Sequence, residues 1–206
     1  MPDTNPATAA VDRTRLRKAL GFALRHNPWA FGLDLAEDGS TPLGDVVASL
    51  RSRLPEFRAL SADEAAATVR DLDAERFEVR DGRVRARYGH SFPVHQFAPA
   101  AVPPDTLFHG TTDGTSVTIY RDGLRPMGRY YVHLTSDPDY AAGVGTAKGV
   151  ACVLRVRARA AYDAGVLFYR ANAHVWLVAE VPAEYLVLRV ESGGQIWPTP
   201  SAKSTG

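Results

Sequence analysis

Apolar residues recur at helical spacing in three segments of the first half of the chain. Leu16, Leu20, Phe22, Ala23 and Leu24 form one set within TRLRKALGFALRHNP. Thr14 is placed to cap that helix, and Pro28 pushes the residue before it out of the α region. GDVVASLRSRL predicts a second helix and SADEAAATVRDLDAERF a third. The third opens on Ser61 with Glu64 three positions on, a capping box in which each residue satisfies the other's backbone amide. The period then changes to two. FEVRDGRVRARY holds two short alternating runs on either side of Asp81-Gly82, a strong signal for a two-residue hairpin.

Three helices followed by a hairpin is the winged-helix arrangement, here covering residues 12–96. The second half mixes short strands and short helices. LFHGTT, YYVHLT, VACVLRV and VWLVAEV read as strands, and segments near 114–122, 137–143 and 158–163 as short helices or turns. Without long helical crossovers a doubly wound parallel sheet is excluded, and a compact, split α+β sheet over residues 106–191 is expected. FAPAAVPPDT lies between the halves. Its three prolines predict a stiff linker over residues 97–105. Residues 1–11 and 192–206 are rich in small and polar residues and are expected to be frayed tails.

Composition narrows the classes. The 206 residues are 45% hydrophobic and 23% charged, which supports packed domains rather than disorder. Net charge is +1, so no global field draws the chain to nucleic acid or anionic membrane. Three of the 24 basic residues are lysine (Lys18, Lys148, Lys203) and the rest arginine. Arginine suits bidentate phosphate recognition, although genomic base composition gives the same bias. Cys152 is the single cysteine, in the apolar run GVACVL, which excludes an internal disulfide and predicts a buried thiol. No run approaches a membrane span and the N-terminus has no apolar signal core. A protein of the reducing cytoplasm is expected.

Candidate chemistry sits at the ends of elements. Arg25-His26 closes an apolar helix at a proline corner, where a cation and an imidazole can bind and protonate a phosphate ester. A helix C-terminus also favours such residues for its dipole alone. On RVRAR, Arg83, Arg85 and Arg87 share one face of a strand, suited to a phosphate backbone or simply to solvent. Gly89-His90-Ser91 follows. His109-Gly110-Thr111 and His133-Leu134-Thr135 end two strands. Two such histidines can bond ribose hydroxyls or an amide, ligate a metal, or serve structure. Arg129 precedes His133 by four positions. Neither a Rossmann fingerprint nor a P-loop is present.

These residues, in order, resemble the tRNA 2′-phosphotransferase family (the KptA type). The resemblance runs from about Leu16 to Leu188: LRHNP with GLDLAEDG, RARYGHS, LFHGT, the GL of RDGLRPM, GRYYVHLT, VGTAKG, GVLFYRAN, VWL and VPAEYL. It implies an α+β protein in which an N-terminal winged-helix, RNA-binding lobe joins a C-terminal ADP-ribosyltransferase-like split-sheet lobe. The implied activity is removal of an internal RNA 2′-phosphate with NAD⁺ as acceptor, through an RNA–phospho–ADP-ribose intermediate. The products are 2′-hydroxyl RNA, nicotinamide and ADP-ribose 1″,2″-cyclic phosphate. By resemblance Arg25, His26, Arg85 and Arg129 are catalytic, with His26 moving the proton of the second step. Arg25, Arg83, Arg85, Arg87 and Lys148 are then expected to face the RNA phosphate. His109, Gly110, Thr111, His133, Leu134, Thr135, His90, Ser91 and Val175 belong to the NAD⁺ site, Val175 standing where other ADP-ribosyltransferases carry a glutamate. No metal is expected, and the partners are a tRNA-like RNA bearing a 2′-phosphate and NAD⁺, bound by a monomer with no membrane association.

Three positions depart from the family. Tyr88 replaces a glutamine before GHS, Ala147 followed by Lys148 replaces an arginine, and Ala173-His174 replaces Asn-Gly before Val175. The departures at 147 and 173–174 leave two other readings open. One is an ADP-ribosyltransferase acting on nucleic-acid terminal phosphates. The other is a non-catalytic, NAD⁺-sensing, nucleic-acid-binding module.

Overall fold

A computed structural model describes residues 11–72, 74–94, 99–147 and 151–190. The expected tails (Val11 apart), residues 97–98 of the expected linker, and Lys148 lie outside the described residues. The chain forms two compact units, Met1–His95 and Gln96–Gly206.

The first unit contains α1 (Arg13–Arg25), β1 (Thr41–Pro42), α2 (Leu43–Arg53), α3 (Ala62–Leu72), β2 (Phe77–Arg80) and β3 (Arg83–Ala86). Leu16, Leu20 and Leu24 recur every fourth position along α1 and are buried against Val46 and Leu50 of α2 and Val69 of α3. Phe22 falls halfway around the helix from that stripe and is exposed, so the apolar set that the sequence suggests is one residue too wide. The cap also differs from expectation. Asp12, not Thr14, closes the helix start, its carboxylate accepting from the amides of Thr14 and Arg15. A carboxylate there also meets the positive end of the helix dipole. The capping box of α3 forms as expected: Glu64 N–H donates to Ser61 Oγ, and Ser61 N–H to Glu64 Oε2.

The Asp81-Gly82 turn takes positive φ at both residues, 51° and 72°. That conformation matches the twist of the strands it joins. It pairs β2 with β3, and β1 adds to the other side of β3 in an antiparallel three-stranded sheet. Along β3, Val84 and Ala86 are buried while Arg83 and Arg85 are half-buried on the opposite face.

The second unit contains β4 (Leu107–Thr112), α4 (Asp113–Asp122), β5 (Val132–Thr135), α5 (Pro138–Thr146), β6 (Ala151–Val156), α6 (Ala158–Asp163), β7 (Phe168–Arg170), β8 (Val175–Val178) and β9 (Leu186–Val190). The strands form one sheet in the order β7-β8-β5-β4-β6-β9, and every registered pair is antiparallel. Cys152 is buried in its core. Ala100 bridges to Tyr169 on β7, and Ala101 N–H donates to Phe168 O. Among the described residues no helix is long and apolar enough to cross a membrane.

β4 is unevenly paired. Six registered pairs join it to β6, but only Phe108↔Thr135 joins it to β5. Gly110 lies next to this thin seam. A Cβ built on it would sit 1.9 Å from the Ala141 carbonyl oxygen and 3.2 Å from Gly145 N. The backbone of α5 therefore rests directly on β4, and only glycine admits that approach.

Candidate active site

In the first unit, α1 ends at Arg25, and His26 caps it with its amide on Phe22 O. The strand after the hairpin turn leads through Tyr88 to Gly89-His90-Ser91, which docks on that helix end. Ser91 N–H donates to Arg25 O at 2.9 Å, and Ser91 Oγ donates to the same oxygen at 3.3 Å. The same hydroxyl meets His26 Nδ1 at 3.4 Å.

Arg25 lies over the same segment. Its Nε donates to Gly89 O at 3.4 Å, and its guanidinium carbon is 5.9 Å from the Tyr88 ring centroid. Gly89 has φ +89°, and a Cβ there would sit 1.9 Å from Arg25 Nη2. Glycine thus serves twice, for its backbone conformation and for the space that the guanidinium occupies.

His90 is buried, and its Nε2 has no hydrogen-bond partner among the described residues. Burial first, then the charges of Arg25 and His26, push its pKa down to about 4. The ring is therefore neutral at neutral pH and adds no charge of its own to the corner. Its Nε2 faces Gly39 of the turn at residues 36–40. The same turn reaches the arginine face: Ser40 accepts two hydrogen bonds from Arg83, and Asp38 lies 3.6 Å from Arg85 Nη1. Burial raises the Asp38 pKa, but hydrogen bonds from Ser40 and the charges of Arg85 and Arg83 outweigh it, and the net shift is downward.

The three arginines of the hairpin share a face, as their alternation predicts, and each has internal partners. Arg85 makes a two-pronged pair with Glu78, at 2.8 Å from Nε and 2.6 Å from Nη2. The other oxygen of Glu78 takes Arg87 at 3.4 Å, and Arg87 Nε donates to Ala74 O. Two carboxylates thus orient and partly neutralise this face. Sequence reading did not single out Glu78, although its signal was present. In a two-residue hairpin the positions three out from the turn on each side are opposite, and those positions are Glu78 and Arg85. Asp38 carries no comparable signal, because it joins the face from a distant turn.

In the second unit, His109 and His133 meet at the thin seam of the sheet. His109 Nδ1 bonds the backbone oxygen of His133 at 2.9 Å, so an imidazole stands where a ladder amide would otherwise be. A carbonyl can only accept. Nδ1 therefore carries the proton, and Nε2 of His109 is an acceptor. Thr111, Leu134, Thr135 and Val175 are buried beside the seam, with Thr135 opposite both Phe108 and Val175. His133 is opposite Leu177, which is opposite Tyr169. Tyr169 packs edge-to-face on Tyr131, two residues before His133 in the chain, at 5.9 Å, a pair of phenol rings that the sequence did not single out. Burial, with the neighbouring tyrosines, raises the Tyr131 pKa and keeps its phenol protonated. Asn172 Oδ1 accepts from His174 N and Val175 N, which turns the chain into β8. Arg129 is exposed in the segment leading into β5, and Ala147 is exposed at the end of α5.

Arg25, His26, His90 and Ser91 are therefore brought together directly. Arg83, Arg85 and Arg87 form one face that the turn at 36–40 connects to His90. The second unit brings His109 and His133 together beside Gly110, Thr111, Leu134, Thr135 and Val175. Among the described residues no three His, Cys, Asp or Glu side chains cluster as metal ligands would.

Comparison with known proteins agrees on one family. Residues 11–180 match the model of the "RNA 2'-phosphotransferase, Tpt1 / KptA family". A "Probable RNA 2'-phosphotransferase" of Acetivibrio thermocellus is 34% identical over 177 residues, covering 85% of this chain and 97% of the relative. One from Burkholderia lata is 37% identical over 180 residues, covering 86% and 91%. A third, from the archaeon Thermococcus kodakarensis, is 34% identical over 181 residues, covering 87% and 98%. The match spans both units and every element that carries the residues described above, so the chain belongs to the RNA 2′-phosphotransferase family of transferase enzymes.

Proposed function

We propose that the protein is an NAD⁺-dependent RNA 2′-phosphotransferase, converting an internal 2′-phosphate of RNA to a hydroxyl and releasing nicotinamide and ADP-ribose 1″,2″-cyclic phosphate. The observation that carries this reading is the corner where Arg25 lies over Gly89 and His26 bonds Ser91. A guanidinium and an imidazole held at one corner are what a phosphate transfer with a late proton movement requires. In this reading residues 12–96 are a winged-helix RNA lobe, residues 106–191 an ADP-ribosyltransferase-like lobe, and the protein acts as a cytoplasmic monomer.

The entering group is a phosphate oxygen that is already anionic, so the first step needs no strong base. The task is to hold a dianion and then a more highly charged phosphorane. Preorganised guanidinium donors suit both. Arg25 and Arg85 hold the phosphate. Arg83, Arg87 and Lys148 contact the RNA backbone. His26 Nε2 accepts the proton of the ribose hydroxyl that displaces the RNA.

The second unit's donor set fits NAD⁺. His109 Nε2 is an acceptor for a ribose hydroxyl, and the paired rings of Tyr131 and Tyr169 suit a flat heteroaromatic ring. Gly110, Thr111, Leu134, Thr135 and Val175 shape the rest. When bound, NAD⁺ supplies an electrophilic ribose carbon with nicotinamide as its leaving group.

The test mixes the protein with NAD⁺ and a short RNA carrying one internal 2′-phosphate, and resolves the RNA on a gel. The expected product is 2′-hydroxyl RNA, formed only with NAD⁺. His26→Ala should leave a slower-migrating RNA that persists. An unchanged RNA, with NAD⁺ still bound by the wild-type protein, would overturn the reading in favour of a binding module.

A further inference from the structure

The Arg25–His26 corner carries aromatic rings on both sides, and two of them are open to solvent. Trp29 is 65% exposed and Phe22 50%. Solvent-exposed tryptophan forgoes one of the largest burial gains available to a side chain. Neither ring is loose. Phe22 packs edge-to-face on Phe31 at 6.1 Å and lies 6.5 Å from the His26 ring. Trp29 packs edge-to-face on Phe92 at 5.7 Å, and Phe92 on buried His90 at 5.4 Å. Pro28 O accepts from both Phe31 N and Leu33 N at 3.0 Å, which fixes the turn Trp29–Phe31 directly after His26. The rings therefore form a continuous path from Trp29 to the histidine behind Arg25.

We propose that Trp29 is a stacking platform for an unpaired nucleobase of the RNA, one attached to the phosphorylated ribose or to the next nucleotide, with Phe22 flanking it on the His26 side. This inference rests on the reading of Arg25 and His26 as the phosphate residues. The occupant is RNA because the patch is continuous with a cationic corner. A single-stranded nucleotide presents an anion and a π face, and the chain offers the guanidinium of Arg25 and, four residues on, the exposed indole of Trp29. Stacking on an exposed ring is tolerant of base identity, because every base has a π face. The platform therefore gives affinity for single-stranded RNA without sequence preference.

The test uses fluorescence anisotropy with a labelled single-stranded RNA carrying one internal 2′-phosphate. Companion RNAs are abasic at the phosphorylated nucleotide or at its neighbour, and one lacks the 2′-phosphate. Trp29→Ala should bind the base-bearing RNA about tenfold more weakly, and Trp29→Phe should restore most of the loss. On one of the two abasic RNAs wild type and Trp29→Ala should bind alike. Because the ring is exposed, the urea midpoint of Trp29→Ala should match wild type. Equal affinity of Trp29→Ala and wild type for the base-bearing RNA would overturn the proposal. So would an undiminished difference on both abasic RNAs, or a self-association present in wild type and lost in Trp29→Ala. Failure of the underlying phosphate reading has a separate signature, namely wild-type affinity that ignores the 2′-phosphate.

Discussion

Gly89→Ala separates the cost of a fold from the cost of a misplaced cation. The new methyl would lie 1.9 Å from Arg25 Nη2, 2.6 Å from its Cζ and 2.7 Å from its Nε, and the residue would have to hold φ +89°. The left-handed backbone costs an alanine about 1–2 kcal/mol. The clash adds little to that, because its target is the far end of a flexible side chain, which swings away. What is lost is position: the 3.4 Å bond to Gly89 O and the placement over Tyr88. If Arg25 holds the reacting phosphate, displacing one preorganised donor should slow turnover by roughly a hundredfold or more. The assay pairs urea denaturation with initial rates of 2′-phosphate removal for Gly89→Ala, Arg25→Ala and the double variant. The double variant should be hardly slower than Arg25→Ala, because both changes remove the same guanidinium from the same place. A Gly89→Ala rate within about threefold of wild type would refute the reasoning, as would a double variant slowed by the product of the two single effects.

Two further outcomes follow from the burial of His90 and the contact at Gly110. Folding holds the His90 ring neutral down to about 4, while the unfolded chain takes up that proton near 6.5, so acid favours unfolding. Stability should therefore fall as pH drops from 6.5 towards 4, by about 2 kcal/mol between roughly pH 7 and pH 5. Urea midpoints at the two pH values should show this loss in wild type and not in His90→Asn; equal losses in both would sink the idea. Gly110→Ala would place a methyl 1.9 Å from a backbone carbonyl of α5, which cannot swing aside as a side chain can. A loss of about 3 kcal/mol or more is expected in a thermal melt, and a melting temperature equal to wild type would contradict the packing described.

Local signals in the sequence were good guides to local structure. The Ser61–Glu64 box, the Asp81-Gly82 turn and the alternation of Arg83 and Arg85 with Val84 each involve neighbours within a few positions, and each appears as expected. Local reading still missed by two positions at the start of α1, where Asp12 and not Thr14 is the cap, and counted exposed Phe22 in its apolar stripe; elsewhere signals failed where the deciding partner was remote or the element too short. β7, at three residues, is too brief to show a period of two, and the two residues of β1 become a strand only because β3 lies beside them. The order β7-β8-β5-β4-β6-β9 depends on pairings that no window of sequence contains.

The candidate site divides along the same line. Residue types able to bind phosphate or donate to a ribose were visible at Arg25, His26, Arg85, His109 and His133, because each ends or lines a predicted element. Their chemical states were not visible. Arg85 is set by Glu78 and by Asp38 from a turn far earlier in the chain. The tautomer of His109 is dictated by the backbone oxygen of a residue on another strand. His90, adjacent in sequence to Ser91, is neutral chiefly because it is buried, beside Arg25, whereas Ser91 is exposed and bonds His26. A histidine's sequence context can place it at a site, but whether it serves there as donor, acceptor or uncharged filler is settled by the carbonyl, hydroxyl or guanidinium that folding sets against it.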